Sequence, residues 1–383
     1  MTSLEQFIKN QGWSVYGIVG IDEVKTALNR HKIVFDKWIS NHFQADMDYL
    51  ERMEEDRFHP ENKIPDVKSV IVLGVVYSDG GSDGGSDGGS DRGSDGGSDR
   101  GSDGGSDRGS DRGVVARYAV GKDYHKVLKK RLVSLAGFLE TLSSKNEIRT
   151  YQSVDSGPTV DRVLAECAGL GFFGKNCNII NPKNGSYMLI ASIMTNLELP
   201  VTEKVRMPNC GDCTKCQNAC PTGALISPGV IDARKCISYL TIENKGSIPI
   251  SLRSRIGNRL FGCDACLECC PFNLRRTKNE EGNLPAGRQG SNSIIPELTS
   301  EYGVGESLDL KKVLSIKTDE EFTELFAGTP IMRAKRIGLI RNACIVAGNS
   351  GDISLIPFLQ NIVNKEDDML KESAQWALKQ LII

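Results

Sequence analysis

Nothing in the 383 residues is apolar for long enough to span a bilayer, a task that takes about 20 consecutive apolar residues. The opening Met-Thr-Ser-Leu-Glu lacks a basic-then-apolar leader and a twin-Arg signal, so a cytoplasmic protein with no membrane partner is expected. A disulfide framework for the 12 cysteines is then unexpected, because disulfides persist in oxidising compartments. No Gly-rich dinucleotide fingerprint follows a strand pattern, so no nicotinamide site is evident. Strong charge of one sign is also missing, at a formal −2, but that figure hides an asymmetry. Residues 79–113 repeat Gly-Ser-Asp with nine Asp and four Arg, carry −5, and leave +3 for the rest. That balance permits a polyanionic partner without demanding one. The repeat holds 14 of the 40 glycines and no apolar residue to offset ordering entropy, so it is read as a disordered insert.

Cysteine, by contrast, is abundant and patterned. Cys210-Gly-Asp-Cys213-Thr-Lys-Cys216-Gln-Asn-Ala-Cys220-Pro221 has the bacterial ferredoxin spacing, and Cys236 and Cys263-Asp-Ala-Cys266-Leu-Glu-Cys269-Cys270-Pro271 follow it. Four thiolates hold each 4Fe–4S cube, and the fourth Cys of such a run ligates the other cluster. The spacing therefore assigns Cys210, Cys213, Cys216 and Cys270 to one cube and Cys220, Cys236, Cys263 and Cys266 to a second. Structural zinc sites use paired C-x2-C steps and do not require the third and fourth cysteines before proline. Cys269 is left over as a small apolar neighbour of a cluster.

Periodicity predicts a mixed α+β chain. Residues 2–11 read as a helix, Val15 to Val19 as a strand, and Asp22 to Arg57 as one long helix with Trp38, Phe43, Met47 and Leu50 in a stripe. Ser69 to Tyr77 is a continuous buried-strand pattern. A helix over Asp123 to Ser144, a strand over Ile148 to Val154, a helix entered at Pro158, and strands near Asn178 to Asn181 and Ser186 to Asn196 complete an αβ region, 1–206. A two-cluster region, 207–276, a linker, 277–300, and a helical region, 301–383, follow. Within the last, Arg341 to Asp352 and the helix after it resemble a HEAT-like repeat.

Two clusters beside a large αβ region imply electrons handed to another redox centre. Arg117-Tyr-Ala-Val-Gly-Lys-Asp-Tyr-His125, Val154-Asp-Ser-Gly-Pro158, Ala168-Gly-Leu-Gly-Phe-Phe-Gly-Lys-Asn176, Gly185-Ser186 and Leu240-Thr-Ile-Glu-Asn-Lys-Gly246 occur in that order around the cysteine motif. Together they resemble the epoxyqueuosine reductase family over nearly the whole chain outside the repeat and 282–293.

That resemblance implies a nitroreductase-like αβ domain binding cobalamin, a two-cluster ferredoxin-like domain and a HEAT-like module. It implies reduction of epoxyqueuosine to queuosine in a tRNA anticodon loop by a monomer, with reduced flavodoxin or ferredoxin as electron donor. By itself Asp155 reads as a helix cap; the family's motif makes it the general acid and places it against the cofactor, where burial would raise its pKa toward neutrality. Matching positions for cobalamin are Arg57, Tyr118, Lys175, Asn176, Ile179, Ile190 and Ser238. No Asp-x-His-x-x-Gly motif offers a cobalt ligand, which implies base-off binding. Contacts to tRNA phosphate fall to Lys245, Arg253 and Arg255, with Arg275, Arg276 and Lys278 and the tail's Arg333, Lys335, Arg336 and Arg341 as further basic groups. The competing readings are a reductive-dehalogenase-like corrinoid reductase, a corrinoid or electron-transfer protein without its own substrate, and an RNA-binding scaffold stapled by clusters.

Overall fold

The computed structural model of the chain describes residues 3–78, 111–142, 147–274, 295–365 and 367–382. The insert's 79–110, the linker's 277–294 and the basic residues Arg275, Arg276 and Lys278 lie outside these described residues.

A four-stranded antiparallel sheet carries the first half of the chain, in the order Val15–Gly20, Ser69–Val76, Met188–Thr195, Thr150–Ser153. All eight residues of Ser69–Val76 are buried because both faces of the sheet are covered. Alternation sorts its side chains: Ile71, Leu73 and Val75 meet Leu128, Leu132 and Leu135 of the Tyr124–Glu140 helix. Val70 and Val72 meet Val24 and Leu28 of the Ile21–Ser40 helix and Leu164 of the Asp161–Cys167 helix. A continuous apolar run thus arises here in an antiparallel central strand, since coverage rather than strand direction sets the pattern. The Asp161–Cys167 helix ends hard against the sheet: a Cβ on Gly17 would sit 1.9 Å from the Ala168 carbonyl oxygen.

The expected long helix to Arg57 is broken. Ile21–Ser40 stops, His42 and Ala45 take left-handed conformations, and short helices Tyr49–Arg52 and Glu54–Phe58 follow. Tertiary contacts override helical propensity. Trp38 Nε1 donates to the Ile231 carbonyl, the Phe43 carbonyl accepts from the Ala233 N–H, and Arg234 lies over the Phe43 ring.

A second, three-stranded sheet joins distant parts of the chain. Arg112–Val115 is its central strand, parallel to Arg259–Phe261 and antiparallel to Ser307–Asp309. Of the last three residues of the expected disordered insert, Asp111 is a turn residue and Arg112 and Gly113 are strand residues. Likewise the end of the expected linker is folded, with 3-10 turns at Pro296–Leu298 and Ser300–Tyr302.

Beyond it, helices Lys335–Ser350, Ile356–Lys365 and Asp368–Ile382 pack together. Lys335–Ser350 is buried on all sides from Gly338 to Gly348, which makes it a core helix. Its apolar residues share one cluster with Ile237, Leu240, Ile256, Leu260 and Phe261, so the tail and the segment after Cys236 have a common core.

Candidate active site

The cysteines sit on short turns and helix ends around two neighbourhoods. Cys216 lies in the Lys215–Asn218 helix, Cys236 is the N-cap residue of Ile237–Ile242, Cys266 lies in Ala265–Glu268, and Cys270 precedes Pro271–Leu274. Burial raises the Cys216 thiol, and Cys210 and Cys270 add to the effect; Cys270 is raised by burial and then by Cys210 and Cys213. In the second neighbourhood burial pushes Cys263 up to about 12, with Cys236 contributing. Cys266 is raised further by burial and by Cys263, Cys236 and Cys220. Burial, with neighbouring thiols second, keeps these four protonated for want of a cation, whereas backbone and Thr222 hydrogen bonds lower Cys220 against burial. Backbone donors already point at sulfur, from Lys175 to Cys210 at 3.5 Å and from Ala224 to Cys220 at 3.2 Å.

A second group of polar side chains gathers where the Thr150–Ser153 strand ends. Asp155 takes a left-handed conformation with φ 55°, a strain of order 1–3 kcal/mol for a non-glycine residue that the surroundings must impose. Its Oδ2 accepts from the Tyr124 hydroxyl and lies 3.7 Å from His125 Nε2. Both partners come from the first turn of Tyr124–Glu140. Asp123 caps that helix by accepting from the His125 N–H at 3.1 Å, and its carboxylate is 2.9 Å from His125 Nδ1.

Partial desolvation raises the carboxyl of Asp155, whose side chain is 65% exposed, but the His125 imidazole 3.7 Å away, the hydrogen bond from Tyr124 and the charge of Arg162 prevail, leaving it lowered to about 2. The expectation of a carboxyl raised toward neutrality is therefore overturned, as is the cap reading, since Val160 precedes the next helix. His125 is the raised group: burial lowers it, but Asp123 and Asp155 lift it to about 9. Nearby Asp161 is pushed up to about 6 by burial and by Asp155, against the Thr159 hydroxyl it accepts from. Tyr118 stands edge-on to Tyr124, ring centroids 6.0 Å apart, and is raised by burial and then by Asp155.

With this geometry in hand, comparison with known proteins is decisive. A family described as "4Fe-4S double cluster binding domain" matches residues 209–273, and one described as "Epoxyqueuosine reductase QueG, DUF1730" matches residues 57–156. An epoxyqueuosine reductase of Pseudomonas aeruginosa is 32% identical, over 98% of this chain and 94% of its own length. The chain belongs to the epoxyqueuosine reductase family. Among solved structures, an epoxyqueuosine reductase with an epoxyqueuosine-modified tRNA-Tyr stem loop superposes with a TM-score of 0.76 at 30% identity, covering 99% of this chain and 89% of that one. The Bacillus subtilis enzyme, with its aspartate-bearing catalytic loop swung out of the active site, gives 0.74 at 29% identity, with 99% and 89% covered.

Within this family member the site residues expected from sequence divide into three groups. Arg57, Tyr118 and Asp155 lie around the segment from 155 to 161: Tyr118 senses Asp155, Arg57 donates to the Thr159 carbonyl at 3.1 Å, and the Arg57 Nε is buried with no partner. Lys175, Asn176 and Ser238 lie instead against the cysteine loops. Lys175 Nζ donates to the carbonyls of Gly211 and Cys213, Asn176 Nδ2 to that of Cys266, and Ser238 hydrogen-bonds Cys236. Ile179 is 3% exposed in the core, and Ile190 is half-buried on the Met188–Thr195 strand.

For tRNA, Lys245 and Arg255 are exposed, whereas Arg253 is 1% exposed and donates to the Ile248 carbonyl and to Glu372. Arg341 is also fully buried. Both are removed from the phosphate-contact set because neither can present charge to a backbone. Tyr124, His125, Asp161, Arg162 and Cys177 were missed. The first two stand in the Arg117–His125 motif, but nothing in chain spacing announces that they meet a loop thirty residues later. Cys177, left-handed at φ 64°, is raised to about 11 by burial and senses Arg162 and both cysteine neighbourhoods through Cys236 and Cys216.

Proposed function

We propose that this chain removes the epoxide oxygen of epoxyqueuosine in tRNA, consuming two electrons and two protons and giving queuosine and water. The observation that carries the reading is the strained Asp155 loop, held by Tyr124 and His125 in a family member whose cysteines match a double-cluster domain, and the space before that loop is taken as the reaction cleft. Cys210, Cys213, Cys216 and Cys270 would hold one 4Fe–4S cube and Cys220, Cys236, Cys263 and Cys266 the other, passing electrons singly toward the cleft. Reduced flavodoxin or ferredoxin is the proposed donor, and the protein is proposed to act as a monomer in the cytoplasm, where tRNA is found.

The cleft suits cobalamin. Arg57 has a buried Nε with no acceptor, and Tyr118 offers a half-buried ring; a corrin edge bearing amide oxygens supplies the acceptor and the apolar face that these groups lack. Bound base-off, the cofactor would supply the low-potential chemistry that opens the carbon–oxygen bond. The protein's part is to orient and to protonate. Asp155 faces the departing oxygen, Tyr124 fixes its carboxylate, and Arg57 and Tyr118 position the ring system. Lys245 and Arg255 neutralise phosphate, and the modified base is splayed out of the loop to enter the cleft.

Nucleoside mass spectrometry on epoxyqueuosine-bearing tRNA, incubated anaerobically with reconstituted protein, cobalamin and a strong reductant, tests this. Loss of one oxygen from the base is expected, and Asp155→Ala or omission of cobalamin should abolish it. No conversion by a protein carrying both clusters and cobalamin would sink the proposal.

A further inference from the structure

The wall behind Asp155 is better built for holding a proton than Asp155 itself. We propose that His125 stores the proton delivered to the departing oxygen, with Asp155 as the carrier between them and Asp123 as the residue that aims the imidazole. The proposal rests on the reading of Asp155 given above and extends it to a residue outside that set.

Geometry comes first. Asp123 is fixed twice, by capping the Tyr124–Glu140 helix and by its own N–H, which donates to the Gly328 carbonyl at 2.7 Å. From that anchor its carboxylate holds His125 Nδ1 at 2.9 Å, which turns Nε2 toward Asp155 Oδ2 at 3.7 Å. The Tyr124 ring stacks on the imidazole with centroids 4.0 Å apart, limiting its rotation, and the Tyr124 hydroxyl holds the same Asp155 oxygen. This is the carboxylate–imidazole–reacting-group order in which a carboxylate sets the tautomer and a histidine moves the proton. The imidazole is 37% exposed, so solvent can refill it after each turnover.

Electrostatics agree. His125 is faced by Asp123 and Asp155, and its pKa is raised to about 9. Asp155 is faced by His125, Tyr124 and Arg162 and lowered to about 2, while Asp161, Tyr118, Tyr49 and Arg333 also sense it. Lys126 acts on Asp123 alone. The pair thus carries a single proton at neutral pH, and that proton belongs to the pair. As negative charge develops on the substrate oxygen, the Nε2–H bond breaks, the proton crosses Oδ2 and a new O–H bond forms on the substrate. A neutral imidazole and an ionised Asp155 remain, and water returns the proton to Nε2.

The test is single-turnover conversion by reduced holoenzyme from pH 6 to 10, read by nucleoside mass spectrometry, for wild type, H125A, H125Q, D123N and D155A. Iron content and tRNA affinity are measured in parallel. Wild type should hold its rate to about pH 8 and lose it as pH rises through about 9. H125A and H125Q should fall roughly 100-fold at pH 7.5, with tRNA affinity within about twofold of wild type. Their remaining rate should decline at lower pH than wild type, and added imidazole should restore H125A at least about tenfold. D123N should shift the alkaline limb downward. In histidine-labelled holoenzyme the His125 resonance should titrate lower in D155A than in wild type. A wild-type rate and profile in H125A, with D155A inactive, overturns this proposal and leaves the reading of Asp155 standing. A slow H125A with an unchanged profile and no imidazole rescue assigns His125 a structural role and overturns it too. A wild-type rate in D155A removes the reading of Asp155 and the proposal together.

Discussion

Replacing Arg341 by Met should destabilise the protein without touching its affinity for tRNA. Arg341 is fully buried in the core helix Lys335–Ser350, and its guanidinium donates to the carbonyls of Asn244 at 2.7 Å, Gly246 at 2.6 Å and Leu240 at 2.6 Å. Three hydrogen bonds from a charged donor contribute roughly 1.5–3 kcal/mol each. Against them stands the desolvation that lowers the pKa to about 10, a cost of about 3 kcal/mol. The bonds win by about 1.5–6 kcal/mol, and Met keeps the volume while removing three donors, of which only the one to Gly246 is backed by another, Asn244 Nδ2 at 3.2 Å, among the side-chain hydrogen bonds to these carbonyls. At about 2 °C per kcal/mol for a chain of this size, Tm should fall by roughly 3–12 °C. Because these carbonyls lie within and just after the Ile237–Ile242 helix that Cys236 caps, bleaching of cluster absorbance near 400 nm should accelerate in the same samples. Thermal unfolding and visible spectroscopy of the reconstituted protein read both effects. An R341M protein with wild-type Tm but a flatter salt dependence of tRNA binding would refute the reasoning and return Arg341 to the phosphate contacts.

Ala substitution of exposed Lys245 or Arg255 should instead leave Tm unchanged and reduce the slope of log affinity against log salt by about 0.7–1 each, measured by tRNA titration between 50 and 200 mM salt. Gly185→Ala should cost at least about 2 kcal/mol, because φ is +70° and the new Cβ would lie 2.1 Å from Asn273 Oδ1. Asn273 ties Ser186 to the Leu267 carbonyl beside Cys270, so iron content should drop along with Tm. The raised His125 stabilises the fold fully below its unfolded pKa near 6.5 and loses that contribution as pH rises through about 9. The Tm gap between wild type and H125Q should therefore be widest near pH 6 and close above pH 9; a gap constant with pH would contradict the ion pair. Deleting 80–110 should leave conversion unchanged, whereas extending the deletion through Val115 removes the central strand of the three-stranded sheet and should abolish soluble expression.

Amino-acid order alone was enough for whatever depends on local spacing. The cysteine runs announce a double cluster because the C-x2-C-x2-C-x3-C-P spacing is itself a local signature, even though each proposed cube takes ligands from both runs. The strand at Ser69–Val76 and the helix at Tyr124–Glu140 are legible because their apolar residues recur at the period of the element. The Asp155 motif was legible only through family likeness, as nothing local distinguishes a catalytic aspartate from a capping one. What tertiary structure decided is everything set by distant partners. It broke the helix expected to reach Arg57, since Trp38 and Phe43 dock on residues 231–234. It drew Arg112 and Gly113 out of an apparent low-complexity tail into the Arg112–Val115 strand, in a sheet with two strands from the other half of the chain. It buried Arg253 and Arg341, because a guanidinium reads as surface charge until carbonyls converge around it. And it placed His125 and Tyr124 on Asp155, lowering a pKa that burial alone would have raised: sequence supplies a carboxyl group, but only its neighbours in space determine where the proton rests.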